Sequence, residues 1–249
     1  MPPIIIRPSQ GQMNCSMQWP LLPGEIFRLN IPEAIVNNDG GRWGVQEIKP
    51  RWQAGPDGQQ SYDVEMAGGM RLQVRMVPFE DHVDINYEVT NLQKTPWTES
   101  LAFTCFNHGS VPSINDFELL RTYIWRKGKA YRLVDIERQF STRPLVQLFG
   151  IEGARPWPEV DFVARFRASP REPCEPLIAI QSRDGRLVTG VAARPALFLF
   201  HNAEYSCIHS CPTFGPLKPN ETGKALTRHY FLQGTIEDLR KRYDRDFPE

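Results

Sequence analysis

The sequence lacks the features that mark membrane, exported or nucleic-acid-binding proteins. No apolar run approaches the ~20 residues that a membrane span needs. The N-terminal run Ile4–Ile6 ends at Arg7, which is too short for a signal-peptide core. Lys and Arg together number 29, as do Asp and Glu, so no basic excess favours nucleic acid or anionic lipid. We therefore expect neither nucleic acid nor membrane as a partner.

Cysteine is scarce as well. Five cysteines, an odd number, in 249 residues do not suggest a disulfide framework. Free thiols are typical of a reducing compartment, so we expect no disulfide bond and a cytoplasmic location.

Three common enzyme motifs are also missing. The sequence contains no GxGxxG after a strand, no GxxxxGK[ST] loop and no GxSxG elbow. Their absence argues against nucleotide-dependent chemistry and against α/β-hydrolase chemistry.

What the sequence does contain is alternation with period two. Apolar and polar residues alternate over 70–76 and again over 83–89, with a Pro-containing break between them. This pattern predicts an antiparallel hairpin with one buried face. Because similar short runs recur along the chain, we predict an all-β fold, an antiparallel β-sandwich with a short C-terminal helix.

Further strands are predicted between turn residues. They cover residues 101–107, 119–125, 130–134, 160–166, 177–181, 186–191, 196–200, 205–210 and 226–232. Residues 101–107 are largely apolar, so this strand is expected to be covered on both faces. Thr235 with Asp238 predicts a capped helix over about 235–245, packed across an edge or end of the sandwich.

The domain organisation is predicted to be simple. No linker, repeat or low-complexity segment divides the chain, so residues 1–249 are expected to form one domain. Residues 1–63 are less regular, and we interpret them as edge strands and long loops.

Reactive side chains concentrate after the apolar run 196–200. His201, Glu204 and His209 lie there, and histidine and carboxylate are suited to general acid–base catalysis near neutral pH. Tyr205, between them, is a candidate substrate-binding residue. A turn with solvated side chains would have the same composition.

A second cluster follows the predicted strand 101–107. His108 is a further catalytic candidate, and Asn107, Asp116 and Arg121 are candidate substrate-binding residues. Strand ends in an antiparallel sandwich gather at two rims, so His108 and His201 are expected to share one. A loop histidine that bonds local backbone is the alternative for His108.

Metal binding is an alternative for some of these residues. Cys207 and His209 are two residues apart, so on an extended strand they would share one face at about 6.6 Å between Cα atoms. His201, Glu204 and His108 could add ligands, but none of the usual zinc spacings is present. We therefore predict no metal site and no cofactor, and keep a metal-dependent cupin-like enzyme as an alternative.

Aromatic residues near loops are suited to binding sugars, because the C–H faces of a pyranose stack on Trp or Tyr. Trp43 lies in a loop-like stretch rich in Asn, Asp and Gly and is the first candidate. Trp97, Trp125 and Trp157 are others, although packing in the core is the alternative for each.

The strand VDINYEVTNL at 83–92 and the Pro-Asn-Glu-Thr turn at 219–222, before the strand 226–232, resemble the galactose-mutarotase-like supersandwich family. The resemblance would extend over about residues 20–232 of this chain. The resemblance implies two histidines and a glutamate around a sugar ring. His108, His201 or His209, and Glu204 would fill those roles, although no family motif matches residue by residue.

Three functions follow from these patterns. The first is acid–base chemistry on a sugar in a strand-end pocket, of the epimerase/mutarotase or lyase type. The second is a noncatalytic carbohydrate-binding or assembly module, and the third is the metal-dependent enzyme. The expected partner is a small molecule or oligosaccharide, and the sequence leaves the oligomeric state open.

Overall fold

The computed structural model describes residues 2–39, 41–137, 145–154 and 173–248. Within these ranges there are seventeen strands and one α-helix. The strands are β1 (Ile5–Pro8), β2 (Asn14–Gln18), β3 (Phe27–Asn37), β4 (Arg42–Gly44), β5 (Gln53–Ala54), β6 (Gln60–Met66), β7 (Met70–Pro78), β8 (His82–Asn91), β9 (Ser100–Asn107), β10 (Thr122–Arg126), β11 (Lys129–Arg132), β12 (Val146–Gly150), β13 (Leu177–Gln181), β14 (Leu187–Arg194), β15 (Ala196–Asn202), β16 (Cys207–Pro212) and β17 (Thr222–Gln233). The helix is α1 (Ile236–Asp246).

The strands form two antiparallel sheets. The first sheet has the order β1-β2-β3-β9-β16-β15-β12, with β4 also pairing with β3. The second has the order β11-β10-β13-β14-β17-β8-β7-β6-β5. The main hydrophobic core lies between the two sheets. The predicted all-β sandwich with a C-terminal helix is therefore confirmed.

The alternation of apolar and polar residues in the sequence predicted most of the described strands correctly. The predicted hairpin at 70–89 is β7 and β8, paired in continuous antiparallel register from Met70 with Asn91 to Pro78 with Val83. The predicted strands at 177–181 and 186–191 are β13 and β14. The predicted strand at 160–166, and Trp157, lie outside the described residues.

Strand β9 is buried on both faces, as its composition predicted. Ala102 and Phe106 belong to the core between the sheets. Leu101 and Phe103 belong to a second apolar cluster on the opposite face of the first sheet. We call these the inner and outer faces of that sheet.

The described part of residues 1–63 contains more regular structure than its composition predicted. It provides β1 to β5 and most of β6, and β3 is an interior strand that pairs with both β2 and β9. The peptide bond Ile31–Pro32 is cis, and the register with β9 shifts between Asn30 and Ala34. A proline and an irregular register interrupt the alternation by which a strand is recognised in sequence.

Helix α1 begins as predicted. Thr235 is its N-cap and forms a capping box with Asp238. The helix does not cover an edge of the sandwich, however, because it packs on the outer face of the second sheet. Gly190 of β14 allows this contact, since a Cβ built there would lie 2.9 Å from Leu239 Cδ2.

None of the helices in the described ranges has both the length and the apolar character needed to span a bilayer. None of the five cysteines, all of which are described, forms a disulfide bond.

Helix docking should depend on Leu239, whose side chain is fully buried. We expect Leu239→Ala to lower the free energy of unfolding by about 2–5 kcal/mol, the usual cost of truncating a buried leucine. Lys241→Ala, at an exposed side chain of the same helix, is the matched control and should change it by less than about 0.5 kcal/mol. Urea unfolding measures both, and equal stabilities would contradict the packing described here.

Candidate functional site

The outer face of the first sheet carries chemically reactive side chains. In β9 and β16, Phe106 and Ile208 face the inner core. Successive side chains of a strand point to opposite faces. Cys105, Cys207 and His209 therefore face outward.

A groove of about 440 Å³ lies on this outer face, at the end formed by β2, β3 and β9. Its lining is predominantly polar, and it consists of Ser9, Gln12, Asn14, Cys15, Ser16, Arg28, Leu29, Asn30 and Asn107. Most of these residues belong to strands, so the backbone holds the groove in shape.

The groove has hydrogen-bonding capacity that the protein does not use. Arg28 is exposed, and within the described ranges its guanidinium has no hydrogen bond or ion pair. Asn107 Oδ1 accepts a hydrogen bond of 2.9 Å from the Gly109 amide, which leaves its NH₂ group available. Asn30 donates through Nδ2 to Glu33 Oε1 at 3.1 Å, which leaves its carbonyl oxygen available.

Glu33 is a partly buried carboxyl group beside the groove. Burial raises the pKa of Glu33, and hydrogen bonds from Asn30 and Cys105 partly oppose this increase. A carboxyl group with a raised pKa can hold a proton closer to neutral pH and so act as a general acid.

Cys105, Cys207 and His209 form a compact cluster next to these residues. The two sulfur atoms are 3.4 Å apart. The possible ligand atoms of all three side chains lie within 4.8 Å of one another. The His209 ring contacts Phe103 and Phe200, and burial lowers the pKa of His209 to about 3.

His108 occupies a different environment. It is fully buried, and its ring packs against Phe27 and Phe106. Its Nε2 lies 3.0 Å from Thr189 Oγ1 of the second sheet, and its Nδ1 lies 3.2 Å from the Phe106 carbonyl oxygen. Burial lowers the pKa of His108 to about 3. This neutral imidazole links the two sheets and has no contact with the groove.

The side chains of His201 and Glu204 do not form a reactive site with His108. The strand ends do meet, because the His108 amide donates to the Ser206 carbonyl at 3.1 Å. His201 is fully buried, and by alternation with the inward Leu199 it faces the second sheet. Glu204 is exposed in the turn between β15 and β16. The expected shared rim exists in the backbone, but these side chains point to core and to solvent.

Two predicted substrate-binding residues stabilise a loop instead. Asp116 is buried and accepts hydrogen bonds from the Arg121 amide at 2.8 Å and from Thr122 Oγ1 at 2.7 Å. The Arg121 guanidinium donates to the carbonyl oxygens of Ile114 and Gln181, so its donors are occupied within the protein.

Of the three remaining candidate binding residues, one lines the groove and two do not. Asn107 lines the groove, as described above. Trp43 is buried, donates through Nε1 to the Ala67 carbonyl and packs against Trp97 at 5.6 Å between ring centroids, so its ring belongs to the core. Tyr205 is 50% exposed in the β15–β16 turn and is not among the residues that line the groove.

Sequence reasoning missed Arg28, Asn30 and Glu33. A usable signal was present, because Phe27-Arg28-Leu29-Asn30-Ile31 alternates with period two and places both polar residues on one face. The run is only five residues long before Pro32, and it lies within a stretch rich in Pro, Gly and Asn.

A larger groove of about 560 Å³ lies beside α1, but both of its arginines are already engaged. Arg240 forms ion pairs with Glu175 and Asp244. Arg194 donates to the carbonyl oxygens of Phe247 and Pro248. The groove at Arg28 is therefore the better candidate for binding a ligand.

No family model matches the sequence, and no curated protein matches it. Several solved structures of galactose-mutarotase-like proteins or aldose epimerase homologues are similar in overall structure. A galactose mutarotase related enzyme from Lactobacillus acidophilus is 10% identical over 93% of this chain and 98% of its own, with a TM-score of 0.45. A putative aldose 1-epimerase from Escherichia coli is 10% identical over 92% of this chain and 99% of its own, with a TM-score of 0.42.

A GH36 alpha-galactosidase from Geobacillus stearothermophilus is also 10% identical, over 82% of this chain and 30% of its own, with a TM-score of 0.46. At these values no residue role, reaction or substrate transfers from any of the three structures to this chain.

The buried histidines predict a pH-dependent stability. Burial lowers the pKa of His108 and of His229 to about 3, whereas an unfolded histidine titrates near ~6.5. Below that pH the unfolded state binds more protons than the folded state. Stability should therefore fall with decreasing pH, by about 1.4 kcal/mol per pH unit for each histidine between roughly pH 6 and pH 4.

Urea unfolding at intervals from pH 7.5 to 4.5 measures this slope. His108→Gln should reduce it, because one of the titrating groups is removed. A stability that does not change between pH 7 and 5 would contradict the burial of these rings.

Proposed function

We propose that the chain binds a carbohydrate in the groove at Arg28, on the outer face of the first sheet. The observation that supports this most directly is the unengaged guanidinium of Arg28 beside the available carbonyl oxygen of Asn30 and the available NH₂ group of Asn107. Sugar hydroxyls both donate and accept hydrogen bonds, so a site for them needs donors and acceptors close together.

The groove also limits the class of sugar. Its volume of about 440 Å³ suits one or two sugar rings. No aromatic residue is among those that line it, so recognition relies on polar contacts and not on ring stacking. A guanidinium pairs best with a carboxylate, so acidic sugars are expected to bind more tightly than neutral ones.

Glu33 favours a second function at the same place, which is acid–base chemistry on the bound sugar. Mutarotation of an aldose requires a proton to be delivered to the ring oxygen while another leaves the anomeric hydroxyl. A protonated Glu33 is suited to the first transfer, since burial raises the pKa of this carboxyl group. Neither binding nor this transfer requires a cofactor.

In this proposal Glu33 takes the acid role that the sequence suggested for Glu204. His108, His201 and Glu204 do not line the groove, so they would act only through other residues. His209 does not line the groove either, although it faces the same side of the sheet as Cys105, which interacts with Glu33.

Binding can be tested by isothermal titration with D-glucose, D-galactose, D-galacturonate and lactose. We expect Arg28→Gln to weaken binding by about 10- to 100-fold, because a hydrogen bond to a charged group contributes roughly 1.5–3 kcal/mol. Arg75→Gln is the matched control, since Arg75 lies on the second sheet and donates to Gln59. If no sugar binds, or if both variants bind like the parent, the binding proposal is wrong.

Mutarotation can be followed by polarimetry of α-D-galactose and α-D-glucose. We expect Glu33→Gln to remove the acceleration over water, a loss of about 10²–10⁴-fold for a general acid, and Glu204→Gln to retain it. Activity should also fall as pH rises through the raised pKa of Glu33. If the parent binds sugar but does not accelerate the reaction, the chain is a binding module and only the acid–base proposal fails.

A further inference from the structure

We infer that Cys105, Cys207 and His209 form a binding site for a thiophilic divalent metal ion, with Zn²⁺ the best fit among common ions. This inference is independent of the proposed sugar binding, because it rests on three side chains that do not line the groove.

The fold brings these residues together through strand pairing. In β9 and β16, Cys207 pairs with Asn107 and Ile208 pairs with Phe106. Continuing this antiparallel register by one residue places His209 opposite Cys105. Cys207 and His209 share a face of β16 because they are two residues apart. All three side chains therefore project from the same patch of the outer face, and the rigid sheet holds them there.

The distances match tetrahedral coordination. Zinc binds sulfur at about 2.3 Å and imidazole nitrogen at about 2.0–2.1 Å, which places two coordinated sulfur atoms roughly 3.8 Å apart. The Cys105 and Cys207 sulfur atoms are 3.4 Å apart, and all the ligand atoms lie within 4.8 Å of one another. The two sulfur atoms would have to move slightly apart to receive an ion.

The fourth coordination position is left to a water molecule. The Glu33 carboxyl group of β3 interacts with the Cys105 thiol, but it is not among the ligand atoms that lie within 4.8 Å of one another, so it would orient Cys105 and not bind the ion. A two-sulfur, one-nitrogen set with a water in the fourth position is an established zinc environment. Soft thiolate and imidazole ligands disfavour Mg²⁺ and Ca²⁺, which bind oxygen.

The surroundings favour retention of a bound ion. All three ligands are buried, and Phe103 and Phe200 pack against the imidazole of His209. The bonds formed are two Zn–S bonds and one Zn–N bond, and the two thiols release two protons to solvent. Affinity should therefore rise with pH, as for other thiolate sites.

The test uses the full chain, treated with a chelator and kept under a phosphine reductant so that the cysteines stay reduced. Zn²⁺ is titrated in competition with a chromophoric chelator, and Co²⁺ binding is followed by thiolate-to-cobalt charge-transfer absorption. We expect one ion per chain for each metal. Native mass spectrometry of the parent should show the gain of one zinc with the loss of two protons.

Variants locate the site. Cys105→Ala, Cys207→Ala and His209→Ala should each weaken zinc binding by at least about 100-fold, and Glu33→Gln by about 10-fold. Cys174→Ala is the control, since this buried cysteine lies between β12 and β13 and outside the cluster. Arg28→Gln should bind zinc like the parent, which separates this inference from the proposed sugar binding.

Circular dichroism of each metal-free variant checks that it folds. The cobalt absorption spectra and the native masses of the parent protein test for metal binding even if a variant does not fold. A parent that fails to compete for Zn²⁺, cobalt spectra without thiolate absorption, or equal loss in Cys174→Ala would overturn it.

Discussion

The inward packing of Phe106 is the constraint on which the arrangement of the first sheet depends. Its ring lies 5.6 Å from the rings of Phe27 and Phe231 and 4.8 Å from that of His229, between centroids. With this side chain fixed between the sheets, alternation directs Cys105 and Asn107 to the outer face. A slip of one residue would exchange the two faces, so burial of an aromatic ring also determines where the reactive groups lie.

This constraint divides the polar residues into two groups with different roles. Those on the inner face connect the sheets: His108 contacts Thr189, and Ser210 Oγ accepts from the Ala193 amide and donates to the Pro176 carbonyl. The hydrogen bonds of His108 and Ser210 are thus used within the protein, and burial keeps His108 neutral. On the outer face, Arg28, Asn30 and Asn107 retain unused donors or acceptors, and Cys105, Cys207 and His209 lie at metal-ligand distances, so these are the groups available for ligands.

The fold could be predicted from sequence to a greater extent than the site. Strands such as β7 and β8 are regular, and alternation of local residues locates them without tertiary information. The candidate site depends on which face each residue occupies, and that follows from register between strands distant in sequence. His108 and His201 follow apolar strands as expected, but the local pattern does not reveal that their side chains turn inward. Arg28 and Glu33 were missed because Pro32 and the shifted register interrupt β3.

Ligand binding on the outer face of the first sheet can be observed by mapping backbone amide chemical shifts by NMR, with an added hexose or hexuronic acid. We expect the largest shifts to cluster at Ser16, Arg28, Asn30 and Asn107. Shifts that cluster instead at the 203–206 turn, or on the exposed face of the second sheet, would contradict it.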